Sequence, residues 1–586
     1  MLNISGTNII SSLGFSSDEN FENVLAGKSG LRHYGSGIFD LPEPFVASLI
    51  DRERLNVEFN RHCGRDNYNF CLNENTFTDL EKAAMLSVHY ANEQAKIDLA
   101  SERTLFVIST TKGNVDKLTV NNKQFTIDGQ SNCELYLWHS AKTVSQFFGN
   151  KNMPVVVSNA CISGAAAQIA ALRELESGNF DFAVVVGVDF LSKFIISGFQ
   201  SFKALSAEPC KPFDSRRNGL NLGEAAATMI FSNYKSQISD YGLLAGAIRN
   251  DANHISAPSR TGEGSLHALN SILGSPLHIL DSQLAFVNAH GTATPYNDAM
   301  EMVAIERAGL QNVPTNSLKT YFGHTLGAAG VVESIISLIA LERGVVLPIN
   351  NEHSTIHNVQ CPINLSQTLQ KTDKLYFVKM LSGFGGVNAA LLFGKIRNEY
   401  ANKNNLHISG QQDIFIKKEI NLSFKNAAEI TDLYRSSLID YPKFFKMDNL
   451  SKMGFVAAEM MLKDEQERFA PREDFGVICF NRSSSLQVDT QYQSTIQSND
   501  NYFPSPLLFV YTLPNIVAGE IALRNKFLGE TSFYVCQHFE AVQIERIVRN
   551  TFSDPTLNEV LVAWVEAFDG IFEIKMRWLA RRKIVQ

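Results

Sequence analysis

The segment 158–164, with the sequence SNACISG, places a cysteine where it could act as a nucleophile. It follows a short apolar run that predicts a buried strand, and it precedes a segment, 164–178, that predicts a helix. Backbone N–H groups and the helix dipole favour negative charge at a helix start, so we expect a lowered pKa for the Cys161 thiol. A free cysteine is also commonly a small core residue, and this segment alone leaves both interpretations open.

Two histidines and a lysine lie in other glycine-containing segments further along the chain. His290 opens the segment HGTATP, and Lys319 and His324 share the segment KTYFGHTLGAAG, which leads into a helical pattern containing Glu333. A fourth segment, 382–386, has the sequence SGFGG. Taken singly, each histidine is typical of a structural residue and each glycine cluster of a turn. Taken together, these segments offer a thiol, two imidazoles and an ammonium group at loop positions.

The elements that must position these residues alternate along the chain. Short apolar runs rich in β-branched residues predict buried strands, and segments with helical periodicity lie between them. This alternation predicts an α/β architecture with central sheets covered by helices. The runs are 104–110, 153–160, 182–190, 284–290 and 388–396, and the clearest helical segments are 164–178 and 331–344.

Composition and charge exclude several classes of function. Hydrophobic residues make up 45% of the 586 residues and charged residues 19%, which is typical of a compact protein of two or more domains. A formal charge of -8 argues against a nucleic-acid-binding surface. The N-terminus lacks a secretory signal pattern and no apolar run is long enough to span a membrane. The eight cysteines are scattered without a C-x-x-C pair, so we expect neither a zinc site nor disulfides, and a cytoplasmic location.

The four glycine-containing segments resemble, in the same order, the signature stretches of the β-ketoacyl-acyl-carrier-protein synthase family. The segment FDSRRNG, 213–219, is similar to the family's F-D-x-x-R-x-G motif. The resemblance covers about residues 1–396. It implies the thiolase fold, in which two halves, here about 1–235 and 236–396, form a five-layered α/β/α/β/α sandwich.

The resemblance also implies roles for individual residues. Cys161 is expected to carry the acyl chain, while His290 and His324 bind the malonyl thioester and drive loss of its carboxylate. Lys319 is expected to tune the electrostatics around His324, with Glu333 in the supporting network. The remaining implied residues are Phe384 and Gly385 for gating and the oxyanion hole, and Thr292, Thr294 and Arg217 for the phosphopantetheine arm.

The implied reaction is decarboxylative Claisen condensation of malonyl-carrier protein with an acyl chain bound to the enzyme. It requires no metal and no cofactor, because the phosphopantetheine arm arrives as part of the acyl-carrier-protein and malonyl-carrier-protein substrates. Fatty-acid elongation and a non-catalytic chain-length factor or scaffold remain alternatives. A coenzyme-A-dependent thiolase fits less well, because no second cysteine follows Cys361 before residue 396.

A second, incomplete copy of the first half follows a polar, Asn-rich segment, 397–413, that is typical of a linker. Cys161 and Gln168 match Cys536 and Gln543 with the same spacing. Residues 414–586 resemble the truncated ketosynthase-like, chain-length-factor-like domains of aryl-polyene and flexirubin-type pathways. This resemblance implies a C-terminal half-thiolase-fold domain that docks on the first copy as an internal pseudo-heterodimer, and a further homodimer remains open. A decayed duplication that only stabilises the fold is the alternative.

Overall fold

The computed structural model describes residues 1–64, 77–119, 132–233, 240–274, 278–349, 361–396, 413–498, 500 and 502–582. Within these ranges, no helix combines the length and apolar character needed to cross a membrane. The predicted linker, 397–413, lies outside the described residues except for Asp413, so the predicted domain boundaries stay a prediction.

The part of the chain up to Asn233 supplies a first large sheet, a separate three-stranded sheet and their helices. Its strands are β1 (Leu2–Ser11), β2 (Arg32–Tyr34), β3 (Phe45–Ser48), β4 (Thr104–Ser109), β5 (Val155–Val157), β6 (Phe182–Asp189), β7 (Leu222–Gly223) and β8 (Ala225–Asn233). Its helices are α1 (Ser17–Leu25), α2 (Arg52–Cys63), α3 (Asp79–Ala95), α4 (Leu137–Phe147), α5 (Ser163–Glu176) and α6 (Lys193–Ser201).

The middle third supplies a second large sheet, a separate two-stranded sheet and their helices. Its strands are β9 (Tyr241–Asn250), β10 (Leu284–Asn288), β11 (Thr315–Asn316), β12 (Val345–Val346), β13 (Gln370–Lys371), β14 (Tyr376–Gly383) and β15 (Val387–Lys395). Its helices are α7 (Glu263–Leu273), α8 (Pro295–Arg307), α9 (Lys319–Phe322) and α10 (Ala329–Glu342).

The two large sheets and their helices form five layers. The strand order is β5-β4-β6-β8-β1 in the first sheet and β9-β15-β14-β10-β11 in the second, and β1 and β9 pair at one edge. Helices α5 and α10 contact strands of both sheets and therefore lie between them. Helix α3 covers the outer face of the first sheet and α7 that of the second. The predicted α/β/α/β/α layering is confirmed.

The two central helices approach each other closely because their first turns carry small residues. A Cβ atom at Gly164, at the start of α5, would lie 2.8 Å from the Gly327 carbonyl oxygen and 3.0 Å from the backbone of Gly330. No other residue type fits at that distance. This contact brings the loop of Cys161 next to the loop of His324.

The C-terminal residues form one further layer of strands with helices on its faces. The strands are β16 (Ile414–Ser423), β17 (Phe475–Asn481), β18 (Thr531–Val535), β19 (Glu559–Phe568) and β20 (Ile571–Arg581). The helices are α11 (Ala427–Ser436), α12 (Asn449–Met461), α13 (Leu486–Gln493), α14 (Pro506–Tyr511), α15 (Ile516–Asn525) and α16 (Ala541–Thr551).

The C-terminal strands continue the first sheet with a mirrored strand order. Strands β5 and β18 pair antiparallel, with Val157 opposite Tyr534 and Val156 opposite Val535. Away from this junction the order is β5-β4-β6-β8-β1 on one side and β18-β17-β19-β20-β16 on the other. If the five strands on each side are numbered by their position in the chain, both sides show the same order outward from the junction: third, second, fourth, fifth, first. The internal repeat predicted from the sequence therefore corresponds to two equivalent sets of five strands.

Candidate active site

Cys161 lies in a tight turn between β5 and α5. Ala160 has a positive φ of 50°, and the turn Ala160–Ile162 is a 3-10 helix. The N–H of Asn159 donates to the Ser163 hydroxyl at 2.7 Å, and that hydroxyl donates to the Ala160 carbonyl at 2.6 Å. These bonds fix the turn and hold the half-buried thiol at the end of the strand.

The structure brings the three predicted catalytic side chains together from distant parts of the chain. The Cys161 sulfur and the nearest ring nitrogens of His290 and His324 all lie within 4.8 Å of one another. The imidazole rings meet edge to face, with centroids 5.1 Å apart and an interplanar angle of 86°. His290 follows β10 and His324 follows α9, so both rings come from loops of the middle third.

The ionisation state of the thiol differs from the expectation. Burial raises the pKa of the Cys161 thiol to about 12, although the Lys319 charge and the backbone N–H groups of Cys161 and Phe384 act in the opposite direction. The prediction of a lowered pKa is therefore wrong, because removal of the sulfur from water outweighs the helix start. The resting thiol is protonated and needs a base when it attacks.

Both imidazoles are neutral. Burial, followed by the nearby Lys319 charge, lowers the pKa of His290 and of His324 well below the usual value. Within the described residues, Nδ1 of His290 and both ring nitrogens of His324 lack a hydrogen-bond partner. Two uncharged rings with free nitrogens can donate to or accept from a bound substrate.

A buried carboxylate between two buried lysines lies behind the imidazoles. Glu333 accepts from the Lys319 ammonium at 2.7 Å and forms an ion pair with Lys379 at 2.5 Å. Burial raises the pKa of Glu333, but the two lysines outweigh it and hold that pKa below the ordinary value. Burial lowers the pKa of Lys379 to about 8. The sequence analysis missed Lys379, although a lysine within the apolar strand YFVKMLSG is an unusual residue that could have indicated it.

A second carboxylate, also missed from the sequence, holds the backbone of the His290 loop. The N–H groups of His290 and Gly291 donate to the two oxygens of Glu301 at 2.6 and 2.7 Å. Glu301 is fully buried on α8, and burial raises its pKa to about 7. This carboxylate fixes the direction in which the loop leaves β10.

Phe384 and Gly385 lie next to the thiol but have different roles in the loop. The Phe384 N–H donates toward the Cys161 sulfur, as does the N–H of Cys161 itself. The Gly385 N–H instead donates to the Ile255 carbonyl at 2.7 Å. Of these two residues, Phe384 therefore supplies the N–H that faces the thiol, and Gly385 shapes the loop.

The residues predicted for the phosphopantetheine arm lie beside the His290 loop. The hydroxyls of Thr292 and Thr294 are 3.0 Å apart. Arg217 donates to the Asp214 carbonyl at 2.9 Å and to the Pro295 carbonyl at 3.1 Å, and it lies 3.8 Å from the Asp298 carboxylate. Arg217 thus ties the FDSRR segment to the start of α8, and a contact with substrate stays a prediction.

A cysteine thiolate and histidine imidazoles are also common ligands of zinc in proteins. In the part of the chain that the structure describes, Cys161, His290 and His324 form the only group of three such donors close enough to hold a metal ion. The expectation of a metal-free enzyme stays a prediction, which metal analysis of the purified protein would test.

The C-terminal half contacts the nucleophile turn directly. The N–H of Ser158 donates to the Phe533 carbonyl at 3.1 Å, and the side-chain amide of Asn159 donates to the Thr531 carbonyl at 3.0 Å. Both acceptors lie on β18. The backbone that leads to Cys161 is therefore hydrogen-bonded across the junction.

Known structures show the same fold. A ketosynthase in complex with its chain length factor, from Xenorhabdus doucetiae, is 24% identical with a TM-score of 0.57, covering 67% of this chain and 98% of that one. The PfaC keto synthase–chain length factor is 14% identical with a TM-score of 0.73, covering 100% of this chain and 79% of that one. The fold is therefore the thiolase-like ketosynthase fold.

Sequence comparisons identify the family. Residues 2–236 match the model of the β-ketoacyl synthase N-terminal domain, and residues 241–353 match that of its C-terminal domain. The 3-oxoacyl-[acyl-carrier-protein] synthase 2 of Vibrio harveyi is 32% identical over 272 residues, which cover 44% of this chain and 65% of that protein, slightly less than two thirds of its length. Because the two models together match more than half of the chain, it belongs to the β-ketoacyl synthase family, whose members are acyltransferase-type enzymes.

Proposed function

We propose that this protein is a cytoplasmic β-ketoacyl-acyl-carrier-protein synthase. It transfers an acyl chain from a carrier protein to Cys161 and condenses it with malonyl-carrier protein. The observation that carries the proposal is the meeting of one thiol and two neutral imidazoles within 4.8 Å. A non-catalytic scaffold has no need for this arrangement.

In the first step, the Cys161 sulfur attacks the thioester carbonyl of the acyl-carrier protein. An imidazole accepts the thiol proton, and the N–H groups of Cys161 and Phe384 stabilise the negative oxygen that forms. Collapse of this intermediate forms the new thioester on Cys161 and releases the carrier thiol, which takes the proton back.

In the second step, malonyl-carrier protein binds beside the acylated cysteine. The N–H groups of neutral His290 and His324 donate to its thioester oxygen, so that loss of carbon dioxide leaves a stabilised enolate. The enolate carbon attacks the carbonyl of the Cys161 thioester, and the Cys161 sulfur leaves as a thiolate, which takes a proton from water to restore the resting thiol. The product is a β-ketoacyl chain, two carbons longer, on the carrier protein.

The test is a Cys161→Ala variant supplied with acyl- and malonyl-carrier proteins. We expect the variant to form no β-ketoacyl product, whereas wild-type protein forms it, as followed by mass spectrometry of the carrier. Normal product formation by the variant would overturn the proposal.

We further propose that the C-terminal half acts as an internal partner that shapes the channel for the acyl chain. A row of contacting aromatic side chains supports this role, because it runs from Phe384 beside the thiol into the C-terminal half. The Phe384 and Phe202 rings lie 5.6 Å apart, and the Phe202 and Phe509 rings 6.0 Å apart. Phe509 belongs to α14 and is 5% exposed.

A Phe509→Leu variant tests this role of the C-terminal half. A smaller side chain at the proposed channel wall is expected to shift the products toward longer chains. Phe469→Leu is the matched control, because Phe469 lies in the same half but is 52% exposed. An unchanged product distribution in both variants would contradict the channel role.

The proposed pathway is synthesis of an aryl polyene or related polyketide, and fatty-acid elongation is the second candidate. The resemblance of residues 414–586 to the truncated domains of aryl-polyene and flexirubin-type pathways supports the first candidate. Product analysis with the cognate carrier protein separates the two, since polyene synthesis retains double bonds that fatty-acid synthesis removes.

A further inference from the structure

The loop that carries the Phe384 N–H is held from the C-terminal half by a single side-chain amide. Asn515, fully buried just before α15, donates from Nδ2 to the Phe384 carbonyl oxygen at 2.8 Å. The two residues are 131 positions apart in the chain. A residue of the incomplete copy thus reaches the backbone beside the nucleophile of the complete copy.

The loop and α15 touch backbone to backbone at this point. A Cβ atom at Gly519, one turn into α15, would lie 2.7 Å from the Gly385 carbonyl oxygen. A Cβ atom at Gly385 would lie 2.6 Å from Nδ2 of Asn515, and Gly385 also has a positive φ of 94°. A side chain at either glycine would push the loop and the helix apart.

The other polar backbone groups around Phe384 are held by hydrogen bonds within the protein, whereas the Phe384 N–H points at the thiol. Asn250 donates from Nδ2 to the Gly385 carbonyl at 2.8 Å and to the Thr531 hydroxyl of β18 at 2.9 Å. The Gly385 N–H donates to Ile255. The bonds to Asn515 and Ile255 hold the peptide between Phe384 and Gly385, so the Phe384 N–H, on the adjoining peptide, is anchored from its C-terminal side.

The amide of Asn515 is not explained by packing alone. Its Oδ1 atom is buried and, within the described residues, has no hydrogen-bond partner. Burying such an oxygen destabilises the folded state, which offsets much of what the hydrogen bond to Phe384 contributes to stability. The polar side chain brings a benefit only through its donated hydrogen bond to Phe384.

We propose that Asn515 is a positioning residue for acyl transfer: its hydrogen bond to the Phe384 carbonyl sets the direction of the Phe384 N–H toward the oxyanion formed at Cys161. The proposal rests on the proposed ketosynthase function. Oxyanion donors must lie within about 2.7–3.1 Å of the developing charge, so a small rotation of this loop reduces their effect. The C-terminal half therefore takes part in the chemistry of the first copy.

The test compares full-length Asn515→Leu with wild-type protein in three measurements. Acylation of Cys161 by the octanoyl thioester of N-acetylcysteamine is expected to slow roughly tenfold, less than the hundredfold or greater loss when an oxyanion donor is removed outright. Alkylation of Cys161 by iodoacetamide, which forms no oxyanion, is expected to keep its rate or rise. The midpoint of urea unfolding is expected to change little, because removal of the unpartnered Oδ1 offsets the loss of the hydrogen bond to the Phe384 carbonyl.

Asn525→Leu is the matched control on the same helix. Asn525 is equally buried, but its amide donates to the Ile521 carbonyl and accepts from Arg468, both within the C-terminal half. We expect this variant to unfold at lower urea concentration while its folded fraction acylates at the wild-type rate. The pair separates loss of stability from loss of positioning.

Two outcomes would overturn the proposal. Acylation of Asn515→Leu within twofold of wild type would show that the hydrogen bond is dispensable, and a parallel fall of acylation and alkylation would show only a structural role. Wild-type protein that is alkylated but never acylated would instead remove the proposed ketosynthase function, and this proposal with it.

Discussion

The two copies of the nucleophile turn lie side by side in the molecule. Cys161 follows β5 and precedes α5, and Cys536 follows β18 and precedes α16. Strands β5 and β18 pair with each other at the junction. Burial raises the pKa of both thiols to about 12. The acidity of the sulfur therefore does not distinguish them.

The surroundings of the two thiols differ. Cys161 is faced by His290 and His324, which follow elements of the second sheet, whereas the described residues of the incomplete copy form no second sheet. There, His538 is mostly exposed and lies 3.3 Å from the Glu540 carboxylate. Helix α16, the counterpart of α5, borders an open groove of about 370 Å³ instead of a second sheet. A strand–turn–helix cysteine therefore becomes a candidate nucleophile only when other elements bring imidazoles to it.

The largest expected effect comes from removing those imidazoles. His290→Ala and His324→Ala should each reduce condensation at least about a hundredfold, because each ring stabilises the enolate formed on decarboxylation. The measurement is release of labelled carbon dioxide from malonyl-carrier protein. His538→Ala is the control and should leave the rate unchanged; equal losses in all three variants would remove the distinction between the copies.

The junction that brings the copies together should be sensitive to loss of a buried charge. Lys112, just after β4, forms an ion pair with Asp489 of the C-terminal half at 2.7 Å, and both side chains are buried. Asp489→Ala leaves the ammonium unpaired and should lower the free energy of unfolding by about 3–5 kcal/mol, measured by urea denaturation. The exposed pair Arg549–Glu545 gives the control, since Glu545→Ala should cost less than about 1 kcal/mol. A similar decrease in the free energy of unfolding in both variants would contradict a stabilising role of the buried ion pair at the junction.

The neutral histidines predict a specific dependence of stability on pH. Their pKa values lie well below 6.5 in the folded protein, so below pH 6.5 the unfolded chain binds protons that the folded chain does not. Stability is therefore lost as the pH falls through 6.5, by up to about 1.4 kcal/mol per histidine and pH unit. The double variant His290→Gln, His324→Gln should show a shallower fall between pH 7 and pH 5 in urea denaturation. Identical slopes would mean that these rings are protonated in the folded state.

The smallest expected effect concerns Cys536. Cys536→Ala should change condensation less than twofold, because the thiol is 4% exposed and, among the residues that the structure describes, is not grouped with two imidazoles as Cys161 is. Measured beside Cys161→Ala, it provides the sharpest contrast between the copies. A large loss of activity would show that the second thiol takes part in the reaction.

Local periodicity predicted the strands. The resemblance to the β-ketoacyl synthase family, carried by contiguous motifs, implied the layers and the meeting of Cys161 with His290 and His324. The sequence did not predict what depends on packing between distant segments. The pKa of Cys161 was expected in the wrong direction, because burial becomes visible only when α5, α10 and the gating loop close around the sulfur. Lys379 and Asn515 were missed as site residues because each gains its role from a partner more than 40 positions away in the chain, Glu333 or Phe384.

Intact-protein mass spectrometry after incubation with acyl-carrier protein tests the central claim most directly. The mass should rise by one acyl group, peptide mapping should place that group on Cys161 and not on Cys536, and addition of malonyl-carrier protein should remove it. Acylation of Cys536, or an acyl group that malonyl-carrier protein leaves in place, would contradict the account.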